Sequence, residues 1–380
     1  MKILMLSEDF LPNVGGITSH IVYLSKALVE QGNLVTILKP SQNESKEFMH
    51  EFGFRVIHLK KRASTFVNKF YIRRFINNLF TKEKFDLLHW HQLIGYETKF
   101  LSGIPKVFTN HTSMYLEQYQ NFYSRFLLKF MLGHVDAVIS PSIELKNKSA
   151  IIPATVGNFY ISNGVDEGIF NFHVLPDRDF KEKYSFLLDD KKAKNFIVLC
   201  PRRLEPKCGV QYFIEAIPKI LEKFNKVKFV IAGRGGFFEE EKRFKNYLEI
   251  NGCLERVYFL GDIENNLMPY LYNLSDLVVL PSLMEATSIS CLEAMACGKA
   301  IISTNVGGLP ELIEDKVNGV LVEPRNSSQI AEQILNLLSD EKLRKILGDN
   351  SRLKVENYFS WRCIAVQTQK VYEQVIKYYL

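Results

Sequence analysis

Two doubly wound α/β domains in tandem are what this chain of 380 residues predicts. Short β-branched runs alternate with helix-period patterns through both halves, the signature of parallel sheets joined by crossover helices. The length suffices for two separate hydrophobic cores. The alternation breaks once, at residues 163–183, where Asn-Gly and Pro-Asp turn signals read as a linker.

The first half opens on a strand at 2–6, whose apolar stretch is too brief for a signal peptide. Further strands are expected at 34–38, 55–59, 86–89, 106–109, 137–140 and 159–162, each a run of mostly apolar residues as in a sheet covered on both faces. Helical periodicity lies between them, most clearly at 17–30 and 71–80. The second half repeats the habit, with strands at 196–200, 227–232, 257–260, 277–280, 300–303 and 320–322. Its helices are expected at 210–224, 238–250, 328–338 and 341–357, and an Ala-rich helical run from Glu293 to Cys297 stops at Gly298. The domains therefore span 1–165 and 166–360. A last run, 361–380, spaces Ile364, Val371, Val375 and Tyr378 as a helix after the second domain is complete.

Hydrophobic content of 47% and charged content of 24% are ordinary for a soluble globular protein. No apolar run has the length of a membrane span; 126–132 is short and interrupted by Lys129. The six cysteines (Cys200, Cys208, Cys253, Cys291, Cys297, Cys363) form no CxxC and have no histidine partners at ligand spacing. They read as reduced, mostly buried thiols of a cytoplasmic protein, and neither a metal nor a cofactor is expected. Charge is uneven. Residues 1–165 hold 19 Lys+Arg against 12 Asp+Glu, whereas the remainder is near neutral. Residues 58–84 concentrate the excess in Lys60, Lys61, Arg62, Lys69, Arg73, Arg74, Lys82 and Lys84, opposed by Glu83 alone. Ile72, Phe75, Ile76, Leu79 and Phe80 make an apolar face there, so the cations read either as its solvated outer side or, with Phe66, Phe70 and Tyr71, as a contact with an anionic membrane. Nucleic acid is not expected, since the second domain is neutral and no binding motif is present.

Several constellations stand at strand ends, the edge where open α/β sheets bind ligands. After the strand at 277–280, a Pro-Ser loop leads to Glu285 and, eight positions on, Glu293. Two carboxylates facing one crevice can each grip sugar or ribose hydroxyls, while a helix N-terminus accepts an anion. Arg203 and Lys207 follow the strand at 196–200, where a guanidinium and an ammonium can neutralise a diphosphate. Gly15 and Gly16 follow strand one and open a helix; consecutive glycines allow positive φ and close approach to a phosphate. GxGxxG is absent, which argues against NAD. His111 ends the strand at 106–109 among polar residues, while His89 and His91 end another and are open to a packing role.

In this order and spacing the motifs resemble those of glycosyltransferase family 4, a retaining group with the GT-B architecture of two Rossmann-like domains facing a cleft. The matching residues are Pro12, Gly15 and Gly16; His111; Asn163-Gly164-Val165-Asp166; Arg203 and Leu204; Gly233 and Gly235; Gly261; and the Glu285-to-Gly298 segment. Lys207 falls one residue before the family's lysine. Where most members carry Gly-Phe-Gly, this chain has Ala286, Thr287 and Ser288, and the Ser288 hydroxyl is expected to compensate. The resemblance implies a metal-independent transferase of a nucleoside-diphosphate sugar, UDP-linked, acting on a glycan, lipid-linked or soluble acceptor hydroxyl. It places Gly15, Gly16, Arg203, Lys207, Gly233, Gly261, Glu285, Thr287, Ser288, Ile289 and Glu293 at the donor. It makes His111, Glu285, Arg203 and Lys207 the catalytic set and sends the last helix back onto the first domain. The alternatives are a GT-B nucleotide-sugar epimerase and a non-catalytic nucleotide-sugar-binding protein.

Overall fold

The computed structural model describes residues 1–12, 15–42, 45–61, 65–91, 103–111, 135–152, 154–188, 195–234 and 238–380. The expectations that fall on Asn13, Val14, Arg62, the side chains of Phe66 and Lys69, the segments 112–115 and 126–132, and Gly235 lie outside the described residues. The chain divides into two units, Met1–Gly164 with Trp361–Leu380, and Val165–Ser360.

The first unit is built on β1 (Lys2–Leu6), β2 (Leu34–Ser41), β3 (Lys46–Met49), β4 (Arg55–Lys60), β5 (Leu87–Trp90), β6 (Lys106–Thr109), β7 (Ala137–Ser140) and β8 (Gly157–Tyr160). They pair in the order β3-β4-β2-β1-β5-β6-β7-β8. Every pairing is parallel except β3 against β4. Strands β5, β6 and β7 are buried at every residue, as strands with helices on both faces must be. Helix α1 (Gly16–Glu30) sends Ile21, Leu24 and Leu28 into a core shared with Ile3 and Met5. On the other face, α2 (Thr65–Glu83) packs Ile72, Ile76 and Leu79 against Leu4, Leu38 and Leu88. Each such aliphatic side chain stabilises the unit by about 1.5–3 kcal/mol of apolar burial. The apolar face read from the sequence of this helix is therefore a packing face. The terminal helix Trp361–Lys377 belongs to this unit, with Trp361, Ile364, Val371 and Tyr372 in the same core as α1.

The second unit contains β9 (Phe196–Cys200), β10 (Val227–Ala232), β11 (Val257–Gly261), β12 (Leu277–Leu280), β13 (Ala300–Thr304) and β14 (Val320–Val322). These pair in the order β11-β10-β9-β12-β13-β14, all parallel. Helix α3 (Val210–Lys223) lies on one face with Phe213, Ile214 and Ile217 buried. Helices α4 (Met268–Leu274) and α5 (Ile289–Ala296) cover the other, where Leu271, Tyr272, Leu292 and Met295 meet Leu199 and Val278. The fold is thus the predicted α/β pair of parallel sheets.

Candidate functional site

In the second unit, β9 is first in sequence but third in the sheet. The chain runs outward from it through β10 and β11, then crosses to β12 on its other side and runs the opposite way. The strand order therefore reverses between β9 and β12, and a crevice opens beyond their carboxyl ends. Two loops leave there, 201–209 after β9 and 281–288 after β12. Backbone bonds hold them together: the Lys207 carbonyl accepts from Leu283 N–H at 2.8 Å and from Met284 N–H at 3.2 Å.

A buried ion pair joins the loops as well. Arg202 Nη2 donates to Glu285 Oε2, with the two side chains only 12% and 15% exposed. Burial works against the Arg202 charge, but Glu285 outweighs it and holds the guanidinium above its ordinary value. The Arg202 Nε–H is buried without a hydrogen-bond partner among the described residues. Backbone geometry seats Glu285 firmly. Gly307 lies at φ 54°, and a Cβ there would sit 1.7 Å from the Glu285 carbonyl oxygen, so only glycine fits. Gly233 plays the same part beside Arg202: at φ 139° its added Cβ would come within 2.7 Å of the Arg202 carbonyl. Its N–H donates to the Gly261 carbonyl at 2.8 Å. Gly233 thus has a packing reason to be glycine, independent of any ligand.

The two cations singled out from sequence stand apart from this pair. Arg203 is exposed and pairs with Glu205 through Nη1–Oε1 at 2.8 Å, while Lys207 Nζ meets Glu205 Oε2 at 3.0 Å. One carboxylate bridges both, so an incoming phosphate competes with Glu205 for them.

Glu293 differs from its expected setting. The helix begins at Ile289, not at Glu293, which lies in its second turn and is 7% exposed. Tyr272 on α4 donates its hydroxyl to Glu293 Oε2 at 2.8 Å, so part of the carboxylate's hydrogen-bonding capacity is already used. Burial pushes the Glu293 carboxyl up to about 7, partly offset by that hydrogen bond, and drives the Tyr272 hydroxyl well above its ordinary value. Ser288 is also otherwise engaged: as the N-cap of α5 its hydroxyl accepts from Cys291 N–H at 3.2 Å. That bond uses one lone pair of the hydroxyl and leaves its O–H proton to donate elsewhere. Thr287 is buried beside it and Ile289 is half-buried in the first turn.

The first unit has its own reversal, between β1 and β5. His91, just past β5, donates its N–H to the Leu6 carbonyl at 3.1 Å. His111, just past β6, places Nε2 3.2 Å from His91 Nδ1, and the two rings stack with centroids 5.5 Å apart. His20 on α1 meets His111 edge-on at 4.7 Å, and its Nδ1 lies 2.8 Å from Asn163 Oδ1. Burial lowers all three rings, His20 to about 4 and the others well below the ordinary value. His89 takes the packing role, bonded to Tyr372 Oη and Thr109 Oγ1 at 2.7 Å each. At the glycine pair neither residue uses the positive φ that glycine allows. Gly15 is extended at φ 176° with open space around its Cβ position, and Gly16 is the first residue of α1.

Arg202, Tyr272 and His20 escaped the sequence reading. Arg202 carried one weak signal, its place beside Arg203 at a strand end; the other two become site residues only once distant elements are packed.

Residues 14–167 match the model of Glycosyltransferase Family 4, and residues 187–354 that of the glycosyl transferases group 1. An uncharacterized glycosyltransferase of Methanocaldococcus jannaschii is 29% identical over 99% of both chains. The gpi3 subunit of the phosphatidylinositol N-acetylglucosaminyltransferase from Schizosaccharomyces pombe is 27% identical, over 98% of this chain and 80% of its own. Among solved structures, sucrose-phosphate synthase from Thermosynechococcus elongatus superposes with a TM-score of 0.80 at 22% identity, covering 99% of each chain. Anabaena HepE, solved with UDP, gives 0.77 at 21% identity over 98% of this chain and 100% of that one. At these identities the structural likeness establishes the fold, GT-B.

Proposed function

Because the chain belongs to glycosyltransferase family 4, with the GT-B fold, we propose that it moves a sugar from a UDP-linked donor to an acceptor hydroxyl with retention of configuration. One observation carries the reading: Arg202 and Glu285 meet as a buried ion pair where the strand order of the second unit reverses. A carboxylate fixed in that crevice can accept hydrogen bonds from sugar hydroxyls in a constant geometry, the preorganisation that lowers a barrier instead of merely binding. Arg202 is a positioning residue here, holding Glu285. Arg203 and Lys207, exchanging Glu205 for phosphate oxygens, stabilise the departing diphosphate, aided by the N-terminus of α5. Glu293 anchors ribose with the capacity that Tyr272 leaves open. To His111 the reading assigns a hydrogen bond to the transferred sugar. No metal is asked of the reaction; the leaving phosphate accepts the proton of the attacking hydroxyl.

For the acceptor class, the first unit's surface supports a lipid-linked one. Lys60, Arg74, Lys82 and Lys84 are exposed, as are Val67 and Phe70 on the first turns of α2. Cations beside exposed apolar side chains suit an anionic membrane surface, and with it a lipid-linked acceptor. The relative from Schizosaccharomyces pombe, named for a transfer to phosphatidylinositol, is consistent with that class. Thermal melts against a panel of nucleotide sugars test the donor assignment. UDP-sugars are expected to raise the melting temperature more than GDP- or ADP-sugars, because a ligand of the native state stabilises it. A panel without any shift, together with no nucleotide release in the presence of membranes, overturns the reading.

A further inference from the structure

The histidine cluster of the first unit has a chemistry that sugar transfer does not use. His20, His91 and His111 come from α1 and from the ends of β5 and β6, and each can offer a ring nitrogen such that the three atoms lie within 4.8 Å of one another. The tautomer of His20 is fixed by its neighbour. Asn163 Oδ1 can only accept, so His20 Nδ1 carries the proton and Nε2 is left with its lone pair. That Nε2 is buried and has no partner among the described residues, and the same holds for His91 Nε2. His20 is 4% exposed and His91 1%. Two orphaned imidazole nitrogens in one buried cluster are costly unless something occupies the space between them.

We propose that His20, His91 and His111 form a binding site for a borderline-soft divalent metal of the Zn2+ or Co2+ class. Three imidazoles with a fourth position open to water are a recurrent ligand set for such ions, and nitrogen donors favour them over hard cations such as Mg2+, which prefer oxygen. The Asn163 contact to His20 Nδ1 is the outer hydrogen bond that orients a metal-binding imidazole. Metal–nitrogen bonds of about 2.0–2.1 Å place ligand nitrogens about 3.4 Å apart, so nitrogens within 4.8 Å of one another need only close by about 1.4 Å. His111 would exchange its hydrogen bond with His91 for the metal. The site stands independently of the transferase reading; if His111 also contacts the sugar, the metal is an inhibitor of transfer.

Cobalt titration of the full chain, prepared metal-free and without a histidine tag, is the test. We expect the intense visible bands of four-coordinate Co2+ to saturate at one ion per chain and to be displaced by Zn2+. His20→Gln and His91→Gln should each weaken Co2+ binding at least tenfold, while His173→Gln, outside the cluster, should leave it unchanged. The spectrum of the unaltered chain decides the matter even where a variant fails to fold. Only the weak bands of six-coordinate Co2+, or affinity unmoved in both cluster variants, would overturn the proposal.

Discussion

Glu293→Gln removes a charge the fold holds against its preference, and the size of that preference follows from its surroundings. The carboxyl is pushed from 4.5 to about 7 by burial. A carboxyl whose folded value is raised keeps its proton to higher pH when folded than when unfolded. Stability is therefore full below the unfolded value near 4.5 and falls as pH rises through about 7. With about 1.36 kcal/mol per unit, the loss between pH 4 and pH 8 amounts to about 3 kcal/mol for this one group. Glutamine keeps the acceptor for Tyr272 and abolishes the titration. Urea unfolding of both proteins at pH 4, 6 and 8 isolates the term, since every other group cancels in the difference. The variant should gain on the wild type by about 3 kcal/mol across that range. Parallel stability curves would show that Glu293 is solvated and that its buried setting has been misread. Nucleotide binding should show the opposite trend. Ribose hydroxyls donate to the charged form, so wild-type affinity should weaken as pH falls below 7.

Three further outcomes are expected. Arg202→Ala strands Glu285 in a buried site and should cost about 3–5 kcal/mol in urea unfolding, with much of it recovered in Arg202→Met/Glu285→Leu. Arg203→Ala should cut turnover on the order of a hundredfold with little change in melting temperature, because its ion pair with Glu205 is exposed; intact activity would move the diphosphate site elsewhere. In flotation assays the protein should follow anionic vesicles at low salt and release at high salt, each cation near the surface contributing about 1 kcal/mol; indifference to anionic vesicles would favour a soluble acceptor.

Local pattern made the sheets readable in the sequence, and strand order hid the site. The β5, β6 and β7 runs are apolar throughout because both faces are covered, so their type needed no tertiary knowledge. β3 escaped notice because Lys-Glu-Phe-Met is largely exposed and gains its strand conformation by antiparallel pairing with β4. Helix α5 starts four residues before the Ala-rich stretch at Glu293. The Ala-rich stretch advertised a helix, but the first turn depends on the Ser288 cap, which reads in sequence as one more loop hydroxyl. Of two adjacent arginines, sequence favoured Arg203; only the juxtaposition of β9 and β12 reveals that Arg202 is the one turned toward Glu285. The histidine cluster joins residues up to 91 positions apart, a separation at which no ligand spacing can be read. The place of Glu285 on the loop leaving the carboxyl end of β12 was legible, since it follows from the strand and the helix that flank it.

Hydrogen–deuterium exchange of the whole chain, with and without a stabilising nucleotide sugar, tests the central claim most directly. If the donor sits at the strand-order reversal of the second unit, added donor slows exchange in peptides covering 201–209 and 281–293, and Glu293→Ala abolishes that protection at the same donor concentration. Protection confined to residues 1–164, with the β9 and β12 loops unchanged, would contradict the account.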